Sequence, residues 1–306
     1  MTRTLLVGYG AFGSIYARRV LEHADFDLVG VVDNRRALDE LQSVGVPVWR
    51  EMRAAIEETR PELVVIATHE EMHEVLCVEA LARGCHVMTA KPGAMSLVEA
   101  ERLVRDAQLH DRRLIVDWTP RYMHGWATLM ESAAELGTIQ TVRFSRRGWA
   151  TPRPCGALWD LAPHDVALAI SLDSDDAIID VTAAAWGTGV HLGLSHASGK
   201  VSRVECDYTS THRDRSVEIV GTSGYAEWLA DEPIVTSSLW AEPVRVADLP
   251  DAISKHLSRV ARVLRGDEDD DQTMLVQVCR VLDAADNELR ARAAMRARTR
   301  SLAVAA

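Results

Sequence analysis

The sequence has few of the features that mark a secreted, metal-bound or membrane-embedded protein. Its five cysteines are odd in number and scattered, without a CxxC pair, as is typical of reduced thiols and unlike a zinc ribbon. No apolar run approaches membrane-spanning length, and the chain enters an apolar strand-like run at once, with no signal peptide before it. Internal repeats and low-complexity linkers are also lacking. These absences predict a soluble, cytoplasmic protein.

The sequence also has fewer basic than acidic residues. The chain has 34 Lys and Arg against 45 Asp and Glu, a formal net charge of -11, which argues against a broad nucleic-acid surface. Its hydrophobic content of 47% and charged content of 26% are ordinary for a globular protein. Because single cores rarely grow much beyond about 250–300 residues, a chain of 306 residues is expected to form two domains.

A glycine-rich turn stands at the start of the chain. An apolar run, residues 4–7, leads into Gly8, Gly10 and Gly13, and twenty residues later a second apolar run ends in Asp33. In a βαβ unit the three glycines allow a tight turn, close backbone approach to a pyrophosphate and close helix–strand packing. The first N–H groups of the following helix then bind the phosphates. The pattern predicts a dinucleotide site with contacts from Gly8, Gly10, Ala11, Phe12, Gly13, Asp33, Asn34 and Arg35.

The acidic residue bears on which dinucleotide is bound. Asp33 would accept hydrogen bonds from the adenosine ribose and repel a 2′-phosphate, which favours NAD. Arg35 and Arg36 could instead attract that phosphate, or could lie on a solvated helix start. NAD is therefore the expected cofactor, with NADP as the alternative.

Strand-like and helix-like segments alternate through residues 1–119. Helical patterns at 14–23 and 37–44 precede a continuous apolar run at 63–67, and further strand-like segments at 86–89 and 114–116 follow helical patterns at 73–83 and 95–110. This alternation predicts an N-terminal Rossmann domain with a doubly wound parallel sheet, whose ligands bind beyond the carboxyl ends of the strands. The residues expected there, besides those of the glycine turn, are Thr68, His69, His73, Lys91 and Pro92.

His69 and His73 also belong to an HExxH pattern, the signature of a zinc-binding helix. The pattern follows a buried strand directly, where a cofactor-flanking loop is expected, and no third ligand follows at metzincin spacing. We therefore expect no metal site, with Glu70 and Glu71 favouring a helix N-terminus instead.

Residues 120–306 show a different pattern. Strand-like segments at 139–145, 180–186, 190–195, 203–210, 216–221 and 226–229 follow one another with turns and no regular alternation with helices. This arrangement predicts a C-terminal α+β domain with an open, mostly antiparallel sheet. Such a domain would bind the substrate, and its sheet face would support a homodimer or homotetramer.

One segment between the first two strands carries candidate acid–base groups. Asp160 is expected to cap a helix that includes Pro163 and His164. Asp160 and His164 are four residues apart and would share a helix face, and a histidine oriented by a carboxylate is a workable general acid or base. The same residues would equally suit a capped helix with a core histidine.

Taken together, these motifs resemble the glucose–fructose oxidoreductase, inositol dehydrogenase and MocA family over almost the whole chain. The resemblance rests on the GxGxxG turn, the Lys91-Pro92 pair after a late strand and the D-x-x-x-H segment, with the turns at 137–139 and 221–224. It implies hydride transfer between a nicotinamide and a hydroxyl or keto carbon of a sugar, sugar nucleotide or cyclitol. Lys91 would contact the reacting oxygen, and Asp160 and His164 would complete the proton-transfer group. Two rival functions remain, reduction of an imine or non-sugar carbonyl and non-catalytic NAD binding.

The chain departs from the family pattern in places that affect the substrate. Ala90 stands where the family usually has Glu before Lys-Pro, and Thr68-His69 replaces the familiar Thr-Pro. Arginines before Asp160 could hold an anionic group, and aromatic residues could stack on a sugar ring or fill the core. The expected substrate contacts are Lys91, Arg121, Tyr122, Trp149, Asp160 and His164.

Overall fold

The structure, a computed structural model, describes residues 1–34, 45–148, 151–247, 251–270 and 272–305, with side chains described up to residue 298. Arg35, Arg36, Trp149 and the helix expected at 37–44 lie outside the described residues. The chain forms two compact units, Met1–Tyr122 with Pro250–Val276, and Met123–Leu249 with Gln277–Ala306. The domain boundary expected after residue 119 stays a prediction.

The first unit contains a six-stranded sheet in the order β3-β2-β1-β4-β5-β6, with all pairs parallel. The order reverses direction between β1 and β4, which is the switch point at which doubly wound sheets bind ligands. This topology confirms the expected Rossmann sheet. Its strands are β1 Thr2–Val7, β2 Phe26–Val32, β3 Val48–Trp49, β4 Leu63–Ile66, β5 His86–Ala90 and β6 Leu114–Asp117.

Five helices lie in the described part of the first unit. Ser96 caps one of them by accepting a hydrogen bond from the Glu99 N–H at 3.1 Å, and Asp251 caps another by accepting from the N–H groups of Ile253 and Ser254. The core combines both sheet and helix residues, including Tyr16, Phe26 and Leu257. The helices are α1 Ala11–Glu22, α2 Met52–Thr59, α3 His73–Ala82, α4 Leu97–Leu109 and α8 Ala252–Arg265.

The second unit contains an eight-stranded sheet in the order β14-β13-β12-β11-β7-β10-β9-β8. Among the described strands of this sheet only β7 and β10 pair in parallel, so the sheet is mostly antiparallel, as expected. The strands are β7 Ile139–Arg147, β8 Ile178–Trp186, β9 Gly189–His196, β10 Val201–Asp207, β11 Asp214–Gly221, β12 Gly224–Leu229, β13 Ile234–Ser237 and β14 Val244–Arg245. The remaining helices are α5 His124–Ala133, α6 Gly156–Asp160, α7 Ala162–Ser171 and α9 Gln272–Ala305.

Helices of the second unit pack on its sheet. Helix α5 packs on β12 and β13, and α7 packs on β7 and β10. Inward positions on the central strands are apolar, such as Phe144, Leu192 and Val204, whereas the alternate positions are polar. None of the described helices is long and apolar enough to cross a membrane.

Candidate functional site

The glycine turn of the first unit has the geometry that the motif requires. Gly8 has a φ of +95°, and a Cβ at this position would lie 2.7 Å from the carbonyl oxygen of Ala67 at the end of β4. A Cβ on Gly13 would lie 2.1 Å from the carbonyl oxygen of Gly8. A larger residue at either position would clash, because the turn packs closely against its own helix and the neighbouring strand.

Gly10 differs from these two glycines. A Cβ built on Gly10 would meet no described protein atom within 4 Å, so packing in the chain does not explain a glycine here. Helix α1 begins at the next residue, and no side chain caps it at Gly10. Ala11 and Phe12 in its first turn are exposed. An open helix N-terminus beside a residue without a side chain fits a bound pyrophosphate.

Asp33 follows β2 at the same edge of the sheet. Its carboxylate accepts a hydrogen bond from the Tyr9 N–H at 2.6 Å, which fixes it beside the glycine turn. A carboxylate is an acceptor of hydrogen bonds, which is the chemistry that ribose hydroxyls require. Asn34 is exposed next to it. The residues present at this edge thus fit a dinucleotide.

The HExxH segment does not form one continuous α-helix. Glu70–Met72 form a short 3-10 turn, and α3 begins at His73. His73 is 1% exposed, with its Nε2 3.3 Å from the carbonyl oxygen of Thr68, and burial lowers its pKa to about 4. His69 is exposed. Within the described ranges, no three His, Cys, Asp or Glu residues are placed to hold a metal ion.

Lys91 follows β5 in a tight turn. The Gly93 N–H donates to the Ala90 carbonyl at 3.1 Å, and the Lys91-Pro92 peptide bond is cis. Pro92 is buried, whereas Lys91 is partly exposed. The positive charge of Lys91 is one of the smaller causes that lower the pKa of His73. The sheet therefore brings the glycine turn, Asp33, the Thr68 loop and Lys91 to one edge, as the sequence predicts.

A buried polar cluster at the end of β6 was not anticipated. Asp117 is 2% exposed and accepts hydrogen bonds from the hydroxyls of Tyr16 on α1 and Thr119, the latter at 2.7 Å. His256 of α8 lies with its Nε2 4.0 Å from the Asp117 Oδ1. Burial, reinforced by Asp117, raises the pKa of Tyr16 well above its ordinary value. The one feature of the sequence that could have indicated this cluster is that Asp117 directly follows an apolar run, as Asp33 does.

His256 is the histidine of this buried cluster. It is fully buried, and neither ring nitrogen has a hydrogen-bond partner among the described residues. Burial lowers its pKa to about 4, although Asp117 opposes the shift. The ring of Tyr122 lies 4.7 Å from the ring of His256. Arg121 and Tyr122, both expected substrate contacts, are partly buried in the 3-10 turn Thr119–Tyr122.

In the second unit, Asp160 does not cap the helix that carries His164. Asp160 is the last residue of α6, and α7 begins at Ala162 after Leu161, with no capping side chain. The Tyr208 hydroxyl donates to the Asp160 carboxylate at 2.8 Å, and Arg153 lies 3.7 Å from it. Burial and the adjoining Asp160 raise the pKa of Tyr208. The capping expectation is wrong because a short separate helix ends where a single helix was expected to start.

His164 lies in the first turn of α7 and is partly buried. The next residue, Asp165, forms a buried two-point ion pair with Arg146 of β7, with N–O distances of 3.0 and 2.7 Å. Burial disfavours the Arg146 charge, but Asp165 outweighs this effect and raises the arginine pKa. Arg146 therefore anchors α7 to the sheet beside His164, a role that the sequence did not indicate.

The turn motifs of the second unit contact each other. The Thr138 N–H donates to the Thr222 hydroxyl at 3.1 Å, which joins the turn at 137–139 to the hairpin between β11 and β12.

Comparison with known proteins supports the identification of the first unit. Residues 2–118 match the model of the GFO_IDH_MocA family, described as an oxidoreductase family with an NAD-binding Rossmann fold. The chain is 23% identical over 151 residues to 2,7-anhydro-N-acetylneuraminate hydratase of Mediterraneibacter gnavus, a match covering 49% of this chain and 40% of the relative. It is 28% identical over 161 residues to D-glucoside 3-dehydrogenase of Escherichia coli, covering 48% and 45%. The chain thus spans less than half the length of these curated relatives.

The fold of the whole chain is also found in solved structures. UDP-N-acetylglucosamine 3-dehydrogenase GnnA from Acidithiobacillus ferrooxidans superposes with a TM-score of 0.85 at 19% identity, covering 95% of this chain and 98% of that one. This likeness confirms the expected fold of both units.

Proposed function

We propose that the chain is a member of the GFO_IDH_MocA oxidoreductase family, whose model matches residues 2–118, and that it is an NAD(P)-dependent dehydrogenase or reductase. Its substrate would be a hydroxyl or keto carbon of a sugar, sugar nucleotide or cyclitol. The observation that carries this proposal is the joint position of the glycine turn, Asp33 and Lys91 at one edge of the Rossmann sheet. The sugar derivatives named for the two curated relatives support the substrate class.

NAD is the proposed cofactor, and it would supply the hydride acceptor or donor. The N-terminus of α1 would hold the pyrophosphate, with Gly10 allowing its close approach. Asp33, held by the Tyr9 N–H, would accept hydrogen bonds from the ribose hydroxyls. An anionic side chain here would repel the additional phosphate of NADP.

Loss of hydride from a C–H requires loss of the hydroxyl proton, so a group in contact with that oxygen must accept it. Lys91 is proposed to contact the reacting oxygen and to stabilise its developing negative charge through the ammonium group. Asp160 and His164 are proposed as the groups that take and return the proton. A histidine at a partly buried position is suited to this work near neutral pH.

Replacement of Lys91 tests the proposal most directly. We expect Lys91→Ala to reduce kcat by at least about 10²-fold, the usual size of a general acid–base or electrostatic contribution. NADH binding, followed by the quenching of protein fluorescence, should change little. Lys91→Arg keeps the charge but cannot release a proton at neutral pH, so rescue by Arg would indicate electrostatic stabilisation alone.

Arg105→Ala is the matched control, because Arg105 is an exposed cation on α4 of the same unit. Turnover should be detected by NADH absorbance with a panel of sugars, sugar nucleotides and cyclitols. Full activity of Lys91→Ala would exclude the assigned role. NADH binding without turnover on any small carbonyl or carbinol would favour a non-catalytic NAD-binding protein instead.

The remaining parts of the proposal concern the cellular compartment of the enzyme and its assembly. No disulfide joins cysteines within the described residues, which supports a reducing, cytoplasmic environment. We propose that the chain assembles as a homodimer or homotetramer and that it binds neither nucleic acid nor a membrane.

A further inference from the structure

The end of β6 carries a buried carboxylate that the proposed hydride transfer does not use. Asp117 is 2% exposed, although it lies at the edge of the sheet where the strands end and ligands bind. The Thr119 hydroxyl lies 2.7 Å from both of its oxygens, and the Tyr16 hydroxyl donates to its Oδ2. Because burial of a carboxylate is costly without such donors, these two hydroxyls fix the position of Asp117.

The bond between Tyr16 and Asp117 crosses the switch point of the sheet. Tyr16 lies on α1, which joins β1 to β2 in one half of the strand order, whereas β6 is the last strand of the other half. The Tyr16 side chain is fully buried in the core. Since a dinucleotide bound at this edge extends across the switch point, the bond joins two parts of the proposed cofactor site.

The ring of Tyr16 also supports a residue of the glycine turn. Its centroid lies 5.1 Å from that of Phe12, and the two ring planes are 87° apart, an edge-to-face contact. Phe12 lies in the first turn of α1, two residues after Gly10, and is 43% exposed. The N–H groups of this turn have no partner within their own helix and are the groups that would receive the pyrophosphate.

We propose that Asp117 is a positioning residue for the dinucleotide, which acts through the Tyr16 hydroxyl to hold Phe12 and the first turn of α1 against the bound cofactor. The inference rests on the proposed binding of NAD at the glycine turn. Asp117 is enclosed, so it acts through Tyr16 and not by touching the cofactor. The Nε2 of His256 is 4.0 Å from the Asp117 Oδ1, beyond hydrogen-bond distance, so the hydroxyls and not the imidazole orient the carboxylate.

Tyr16→Phe tests the proposal with the smallest change, because it removes the hydroxyl and keeps the ring. NADH is titrated into the full-length protein, and its dissociation constant is obtained from the quenching of protein fluorescence. We expect Tyr16→Phe to raise this constant about fivefold, the order of one aromatic contact or one hydrogen bond.

Thr59→Val is the matched control, since it also removes a buried hydroxyl from a helix of the first unit. The Thr59 hydroxyl donates to the Ala55 carbonyl at 2.7 Å. The Thr59 carbonyl accepts from Arg3 near the start of β1, which places this residue at the opposite edge of the sheet. Thr59→Val should lower the melting temperature and change the NADH dissociation constant by less than about twofold.

A double-mutant cycle tests whether the effect passes through Phe12. Phe12→Ala should itself weaken NADH binding, and adding Tyr16→Phe to it should weaken binding further by less than about twofold. The decrease in melting temperature caused by Tyr16→Phe should persist in both backgrounds. A purely structural role of Tyr16 would instead give the same loss of NADH affinity with and without Phe12.

Variants of the carboxylate complete the test. Asp117→Asn keeps the size and one acceptor oxygen, so its NADH dissociation constant should lie between those of the parent and Asp117→Ala. If Asp117→Ala does not fold, the Tyr16 and Phe12 cycle decides. An NADH affinity unchanged by Tyr16→Phe would overturn this proposal, and so would independent effects of Tyr16→Phe and Phe12→Ala. A parent protein that does not bind NADH would overturn the proposed cofactor as well.

Discussion

Mild acid should destabilise the first unit, because two of its histidines are buried in the neutral form. His73 and His256 are each at most 1% exposed, and burial lowers the pKa of each from 6.5 to about 4. Between these two values the unfolded chain binds more protons than the folded one. Stability is therefore fully present above pH 6.5 and falls as the pH decreases toward 4.

The size of the effect follows from the two pKa values. At pH 5 each histidine reduces the free energy of unfolding by about 2 kcal/mol relative to pH 7, and the pair by about 4 kcal/mol. Domains of this kind are stable by about 5–15 kcal/mol, so the loss is large. The groups around His256 act in opposite directions: Asp117 favours the imidazolium, whereas Arg259 and Arg121 disfavour it.

Urea unfolding at pH 7, 6 and 5 measures this loss. His256→Gln removes the titrating group, so the variant should lose about 2 kcal/mol less than the parent between pH 7 and pH 5, whatever its stability at pH 7. His212→Gln, at an exposed loop position, is the control and should leave the pH dependence unchanged. An unchanged pH dependence in His256→Gln would refute the reasoning.

Two further predictions concern the edge of the Rossmann sheet at which the cofactor is proposed to bind. Gly13→Ala should destabilise the protein by about 1–3 kcal/mol, because its Cβ meets the Gly8 carbonyl. Gly10→Ala should leave the melting temperature unchanged and still weaken NADH binding, so equal melting temperatures for the two variants would contradict this reasoning. Asp33→Ser should lower the ratio of kcat/KM for NADH to that for NADPH at least about tenfold, a change of about 1.4 kcal/mol; an unchanged ratio would remove Asp33 from cofactor selection.

The parallel sheet could be predicted because apolar runs mark several of its strands. Leu63–Ile66 and Leu114–Asp117 are buried along their whole length, so their sequence differs sharply from that of the flanking helices. The same contrast located Asp33, which directly follows the run at 28–32, whereas Lys91 was located by the strand-like segment at 86–89 that precedes it. Short elements gave no comparable signal. β3 and β14 have two residues each, and their side chains are only partly buried or exposed.

Interactions between distant segments could not be predicted. Tyr16 and Asp117 are 101 residues apart, and Arg146 and Asp165 are joined only because β7 and α7 pack together. The capping role expected for Asp160 failed for a related reason. Local sequence allows a cap at this position, but the Tyr208 hydroxyl from a distant strand end supplies the hydrogen bond that its carboxylate accepts.

Burial separates the histidines that could take part in proton transfer from those that could not. A general acid or base near neutral pH needs a pKa close to the working pH and access to the reacting oxygen. His73 and His256 meet neither condition, since both are enclosed and their pKa values are about 4. His164 is only partly buried and stands at the start of α7, where the Arg146–Asp165 pair fixes the helix. Among these three, His164 is therefore the residue on which a test of proton transfer should concentrate.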